Sequence, residues 1–311
     1  MIRIQNLTKD YGSVRAVDHV NFEINEGEIL GFLGPNGAGK TTTLRMITCF
    51  LLPTSGNIEV EDMNIHDEQI GIKRLIGYLP EHNPLYIDMT VYDYLKFIAD
   101  IRKVSDFKSR MKEVIEQCGL NGVVHKPINT LSKGFKQRVG IAQAILHNPR
   151  ILILDEPTSG LDPNQIVEIR ELIIELGKEK TLVISSHILQ EVQAVCDRII
   201  IINKGKIVAD GSTEELKSDF QSRTKLKLEL IASEKEITEI PNNVEGTSII
   251  TVTPLNETTF SFEIEFDSAN DKRAEIYNYI KSKEWILLEM HREHVSLEAV
   301  FRNLTIEGGK K

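Results

Sequence analysis

Apolar and polar residues alternate along Ile2–Leu7 and again along Ala16–Ile24, the period of half-buried strands. Glu28–Leu33 reads as a short buried strand and Thr42–Thr48 as the first turns of a helix. Pro53-Thr54-Ser55-Gly56 predicts a turn, Asn57–Val60 a short strand, and Arg74–Leu79 an apolar strand stopped by Pro80. The period then becomes helical, through Val91, Leu95, Ile98 and Ile101 and then Met111, Val114, Ile115 and Cys118. This block breaks the alternation of strands and helices and predicts a helical subdomain, about 83–148, inserted into the core. Ser132 is placed to cap a helix whose apolar face is Val139, Ala142, Ile145 and Leu146, ended by Asn148-Pro149. Ile151–Leu154 reads as a fully buried parallel strand, Pro163–Leu176 as an amphipathic helix and Thr181–Ser185 as another buried strand. A hairpin turning at Asn203-Lys204-Gly205 and a short helix over Thr213–Phe220 close a first domain, 1–220.

A second domain, 221–311, is expected beyond it. Lys225–Ile231 alternates as a strand, Glu234–Ile240 has the length of one or two helical turns, and Pro241 breaks the pattern. Gly246–Val252 and Thr258–Phe266 read as strands, Asp271–Lys283 as a helix and Trp285–Met290 as a last strand. The order βαββαβ is that of a ferredoxin-like sandwich. Ser296–Leu304 adds a helix, and Glu307–Lys311 reads as a frayed tail.

Composition narrows the field without deciding it. The 311 residues are 41% hydrophobic and 27% charged, as in ordinary globular proteins. A net charge of −9 argues against nucleic acid as a main partner. No apolar run has the length of a membrane span, and the N-terminus lacks the apolar core of a signal peptide. Cys49, Cys118 and Cys196 are scattered, as expected of reduced thiols. The expectation is a cytoplasmic protein that reaches the inner face of the membrane only through a partner.

The chemistry centres on Gly34-Pro35-Asn36-Gly37-Ala38-Gly39-Lys40-Thr41-Thr42, which fits the phosphate-binding loop Gly-x-x-x-x-Gly-Lys-[Ser/Thr] between a strand and a helix. The glycines let successive N–H groups point at a triphosphate, where the helix N-terminus adds positive charge. Lys40 would reach the β- and γ-phosphates and the Thr41 hydroxyl would sit on Mg²⁺. Asp155-Glu156 follow an apolar strand, so two carboxylates with separate directions arrive at a sheet's ligand-binding end. Asp155 would hold Mg²⁺ through its water shell and Glu156 would polarise the attacking water. Tyr11, in a turn Tyr11-Gly12-Ser13 between the first two strands and with Val17 beside it, could stack on an adenine ring or could simply close the edge of a small sheet. His291 and His294 bracket a strand end, where a solvated surface is a better reading than a metal site.

Gly34–Thr42, Leu131-Ser132-Lys133-Gly134-Phe135, Ile151–Glu156, Ser159-Gly160-Leu161-Asp162 and Ser186-His187 occur in the order found in ATP-binding cassette (ABC) transporter ATPases, which the chain resembles over about Met1–Phe220. The resemblance implies an α/β P-loop ATPase with an N-terminal antiparallel β subdomain, an inserted helical subdomain and the small α+β domain appended. It implies that Tyr11 stacks on adenine and that Glu81, in place of the family's usual Gln, couples the Mg²⁺ site to the helical subdomain. It further implies that Asp162 contacts the opposite subunit and that His187 senses the γ-phosphate. Ser132 and Gly134 would face the γ-phosphate of the other subunit's ATP, although Lys133 and Phe135 depart from the usual Leu-Ser-Gly-Gly-Gln. The implied assembly is a head-to-tail homodimer around two ATP molecules, driving a separate integral-membrane permease. Gly77–Glu81, Leu131–Phe135 and the extra domain resemble most the gliding-motility-associated branch among export-type ATPases. The alternative is an ATP-dependent switch with little turnover.

Overall fold

Ile151-Leu-Ile-Leu-Asp155 is apolar up to its last residue, so it is stable only with both faces covered, and the fold covers both. Leu152 and Leu154 belong to one hydrophobic core, Ile151 and Ile153 to another. The computed structural model describes residues 1–220, 223–267, 270–293 and 296–306.

In chain order, β1 (Ile2–Tyr11), β2 (Val14–Ile24), β3 (Ile29–Leu33) and α1 (Lys40–Ile47) lead to β4 (Ser55–Val60), β5 (Met63–Asn64), α2 (Gln69–Leu75) and β6 (Ile76–Leu79). The helical segment holds α3 (Val91–Arg102), α4 (Phe107–Gln117) and α5 (Lys133–Ile145). There follow β7 (Ile151–Asp155), α6 (Pro163–Gly177), β8 (Thr181–Ser186), α7 (Leu189–Gln193), β9 (Arg198–Asn203), β10 (Lys206–Gly211) and α8 (Thr213–Phe220). A six-stranded sheet has the order β10-β9-β3-β8-β7-β6, parallel except for β10. An antiparallel sheet of order β2-β1-β4-β5 shares the second core with α1. The first core lies on the other face, where Leu95 of α3, Val114 of α4, Ile141 of α5 and Ile173 of α6 are all buried. Because β3, β8 and β7 are parallel neighbours, the segments leaving their C-terminal ends converge.

The chain divides into two compact units, Met1–Thr213 with the chain from Phe301 onward, and Glu214–Val300. The second contains β11 (Arg223–Ile231), α9 (Glu234–Ile237), α10 (Ile240–Asn243), β12 (Thr247–Pro254), β13 (Thr259–Asp267), α11 (Arg273–Ser282) and β14 (Ile286–Glu293), and α12 (Leu297–Ile306) starts in it. Its antiparallel sheet, β12-β13-β11-β14, is the strand order of the ferredoxin-like sandwich. The expected first helix is two single turns, the former held by a capping box between Ser233 and Glu236. Leu226, Leu228 and Leu230 alternate inward onto Ile237, Ile276 and Ile280.

Three local expectations are corrected. Arg74 and Leu75 end α2 rather than begin a strand, since fully buried Ile72 anchors that helix and Arg102 Nη1 donates to the Lys73 carbonyl at 2.8 Å. Tyr11 ends β1 rather than lying in the turn, which is Gly12-Ser13. Trp285 precedes β14 and packs edge-on against Tyr279, ring centroids 5.8 Å apart. The expected tail Glu307–Lys311 lies outside the described residues. No helix among the described residues is long and apolar enough to cross a membrane.

Candidate functional site

At the end of β3 the backbone passes too close to its neighbours for any side chain. A Cβ on Gly34 would lie 2.4 Å from the Ile202 carbonyl oxygen. Gly39 has φ +110°, and its Cβ would meet the Ala16 carbonyl oxygen at 2.5 Å. Gly37 also takes positive φ, which completes the curl of the loop. Ala38 is buried, its amide bonded to the Pro35 carbonyl at 3.1 Å and its carbonyl to the Gly205 amide at 2.9 Å. Gly39 brings no side chain to cap α1, so the first N–H groups of that helix have no side-chain acceptor from the cap. The geometry is that of an anion cradle.

Lys40 is almost entirely buried. Its Nζ donates to the Gly34 carbonyl at 2.8 Å and the Pro35 carbonyl at 3.4 Å and lies 3.3 Å from Glu156 Oε1. The other oxygen of Glu156 lies 2.8 Å from His187 Nδ1, so this carboxylate sits between a buried ammonium and a half-exposed imidazole. Glu156 also takes φ +51°, a left-handed backbone that disfavours side chains, and its amide donates to Ser185 Oγ at 2.9 Å. Strain of this kind persists where the surroundings over-determine it. Here a hydroxyl, a lysine and a histidine hold the residue.

Asp155 is fully buried. Its Oδ1 accepts from Ser185 Oγ at 2.5 Å and from Thr41 Oγ1 at 3.2 Å, whereas Oδ2 is buried with no hydrogen-bond partner among the described residues. Burial pushes its carboxyl above the usual carboxylate range, the Ser185 and Thr41 hydrogen bonds oppose this, and Glu81 and Glu156 add like-charge repulsion. An unfilled carboxylate oxygen beside a threonine hydroxyl is the donor set a hard cation needs, so the residues fit Mg²⁺. Thr41, Asp155 and Glu81 would hold it.

Lys40, Thr41, Thr42, Asn36, Gly37 and Gly39 line one cavity of about 670 Å³ together with Glu81, Glu156 and His187. Sequence reasoning missed Ala16 and Ser159 on its wall and Ser185 behind it. A polar Ser185-Ser186 closing an apolar strand is the one signal that pointed to the last. Val17, expected beside the adenine ring, is corrected, since it is fully buried in the core and Ala16 faces the cavity instead. Tyr11 is half exposed at the end of β1, with Lys9 Nζ 5.7 Å above its ring, and does not line this cavity.

Ser132 and Gly134 stand apart, in a cavity of about 320 Å³ with Phe135, Arg138, Gln165 and Glu168. Ser132 caps α5, accepting from the Phe135 amide at 3.3 Å, and Asp162 caps α6, accepting from the Gln165 amide at 3.0 Å. His291 is exposed opposite Lys227 on β11, and His294 lies outside the described residues.

The family model described as ABC transporter matches residues 17–159. Bacitracin transport ATP-binding protein BcrA of Bacillus licheniformis is 42% identical over 239 residues, 76% of this chain and 77% of that protein. Linearmycin resistance ATP-binding protein LnrL of Bacillus subtilis (strain 168) is 32% identical over 98% of both chains. Among solved structures, the dimeric post-hydrolysis ATP-binding cassette MJ0796 bound to ADP and Pi superposes with a TM-score of 0.63 at 28% identity, over 68% of this chain and 98% of that one.

Proposed function

This chain belongs to the ABC transporter family of ATP-binding proteins, and we propose that it hydrolyses ATP at the Lys40–Glu156 cavity to drive a separate membrane permease. The observation that carries the reading is Glu156, a strained and nearly buried carboxylate held between Lys40 and His187 on the wall that Thr41 shares. The backbone N–H groups of Gly37–Thr41 bind the phosphates, and Lys40 exchanges its carbonyl partners for their oxygens. Glu156 accepts a hydrogen bond from the attacking water and polarises it, while His187 fixes the carboxylate from its open side. Mg²⁺, when bound, supplies charge neutralisation of the β- and γ-phosphates. Glu81 approaches that position from the loop after β6, and Tyr11 offers its exposed ring to the base.

The separate cavity at Ser132 and Gly134 supports a site completed by two copies, each lending this surface to the other's nucleotide, with Asp162 near the contact. The dimeric form of the MJ0796 cassette agrees with that arrangement. Tyr86, Ile87 and Phe97 form an exposed apolar patch, with Tyr86 and Phe97 edge-on at 5.5 Å, suited to an apolar segment of a membrane partner. The chain would then work at the cytoplasmic face of the membrane. The names of the two relatives, bacitracin transport and linearmycin resistance, favour an export-type role of that kind over the gliding-motility branch.

The test is affinity purification of tagged Glu156→Gln chain from native membranes in mild detergent with ATP. A co-purifying multi-span membrane protein supports the reading. Recovery from the soluble fraction alone counts against it.

A further inference from the structure

We propose that Glu191 is a positioning residue for hydrolysis, whose buried carboxylate ties the turn after Glu156 to the strand end that presents His187. Glu191 lies on α7, outside the cavity, and is 8% exposed. Its Oε2 accepts two hydrogen bonds, from Thr158 Oγ1 at 2.6 Å and from Ser186 Oγ at 2.8 Å, while Oε1 is buried with no hydrogen-bond partner among the described residues. Both hydroxyl residues are themselves buried. Each is the immediate neighbour of a cavity residue, Thr158 of Ser159 and Ser186 of His187.

The bonds continue outward from this knot. Ser186 Oγ accepts from the Ile188 amide at 3.0 Å, which fixes the backbone on both sides of His187. The Ser159 amide donates to the Glu156 carbonyl at 3.1 Å, which ties Thr158's turn to the carboxylate that His187 touches. A single oxygen therefore bridges the turn after Glu156 and the strand end before His187, one step beyond the β7–β8 pairing and the Ser185 bonds that join Asp155 and Glu156 to that strand. Leaving the other oxygen of a carboxylate buried without a partner is unfavourable for stability, and an apolar side chain would avoid it. What the charge supplies is a pair of short, charge-assisted bonds that hold two hydroxyls in one geometry. The inference rests on the proposed role of the Glu156–His187 pair.

The experiment compares full-length wild-type protein with Glu191→Ala and Glu191→Gln, alone and in a His187→Ala background. For Glu191→Ala, kcat for ATP should fall about 10- to 100-fold with KM within about twofold, since Lys40 and its loop are untouched. Glu191→Gln keeps an oxygen that can accept both hydroxyls and should stay within about fivefold of wild type. In the His187→Ala background, Glu191→Ala should add less than about twofold. Hydrogen exchange gives a readout independent of turnover. The Ser159 and Ile188 amides should lose protection together in Glu191→Ala, while the Thr43 amide, bonded to the Gly39 carbonyl at 2.9 Å, should not. Should Glu191→Ala not fold, Thr158→Val and Ser186→Ala carry the same test, and their effects should be strongly non-additive. Full additivity with His187→Ala, unchanged kcat in Glu191→Ala, or loss of protection across the whole domain would overturn the proposal. If wild type instead lacks any hydrolysis that depends on Glu156, the reading of the site fails, and the exchange data still decide whether Glu191 ties the two segments.

Discussion

Replacing Asp155 by Asn should stabilise the protein without Mg²⁺ and nucleotide and remove the stabilisation that they bring. Asp155 is fully buried, with one oxygen bonded to Ser185 and Thr41 and the other to no partner among the described residues. A buried acceptor without a partner costs about 1–3 kcal/mol, and more when charged. Asn keeps the bonded oxygen and removes the charge but leaves an amide group in the same place, so the net gain is about 1 kcal/mol at neutral pH. For a unit of this size that is about 2–4 °C in Tm. The pH dependence has a definite sign. Burial holds the folded carboxyl above its unfolded value of about 3.9, so the folded state keeps the proton longer and stability falls as pH rises through the folded value. The Asn variant lacks this loss, so its advantage should be smallest near pH 4 and widest near pH 7. With Mg²⁺-ATP at 100 times its Kd, wild type should gain about 2.7 kcal/mol and the variant much less. Melting curves in EDTA and in Mg²⁺-ATP across this range are the assay. A variant less stable than wild type in EDTA at pH 7 would show that the charge is a net stabiliser and refute the reasoning. So would an equal response of both proteins to Mg²⁺-ATP.

Gly34→Ala places a Cβ 2.4 Å from the Ile202 carbonyl oxygen, so the loop must move, and ATP affinity should fall at least about tenfold in a fluorescent-nucleotide titration while the fold is retained. Lys40→Ala leaves the nearly buried Glu156 without its ammonium and should lower stability by about 3 kcal/mol as well as weaken ATP binding, read by denaturant titration and nucleotide titration on the same sample. Tyr86→Glu with Phe97→Glu should abolish recovery of a membrane partner while leaving nucleotide affinity unchanged, because both rings are exposed and neither lines the cavity. Glu156→Gln should double in mass by light scattering with ATP and not with ADP, and a monomer with both would count against the shared site.

Much of this was legible in the chain because the chemistry is local. Gly34–Thr42 needs only its own spacing, and Asp155-Glu156 need only the apolar strand before them. The βαββαβ order of the smaller unit followed from a period of two broken by short helical stretches. What escaped was set by contacts distant in sequence. Periodicity placed Val17 on a strand but did not show that its side chain faces the core and that Ala16 faces the cavity. Ser185 and Asp155 are 30 residues apart, Thr158 and Glu191 33, and only the parallel pairing of β7 with β8 brings such pairs together. Arg74 and Leu75 looked like strand residues because an apolar run begins there, while the helix that claims them is anchored by Ile72 and by Arg102 from α3.

Phosphate release from Mg²⁺-ATP by the full chain and by Glu156→Gln, with ATP affinity measured on the same samples, bears on the whole of this reading. The wild-type chain should turn ATP over, and the variant should bind it with similar affinity while releasing phosphate about 10²–10³-fold more slowly. Equal release by the two proteins would contradict it, because Glu156 would then hold no place in the reaction that Lys40, Asp155 and His187 surround.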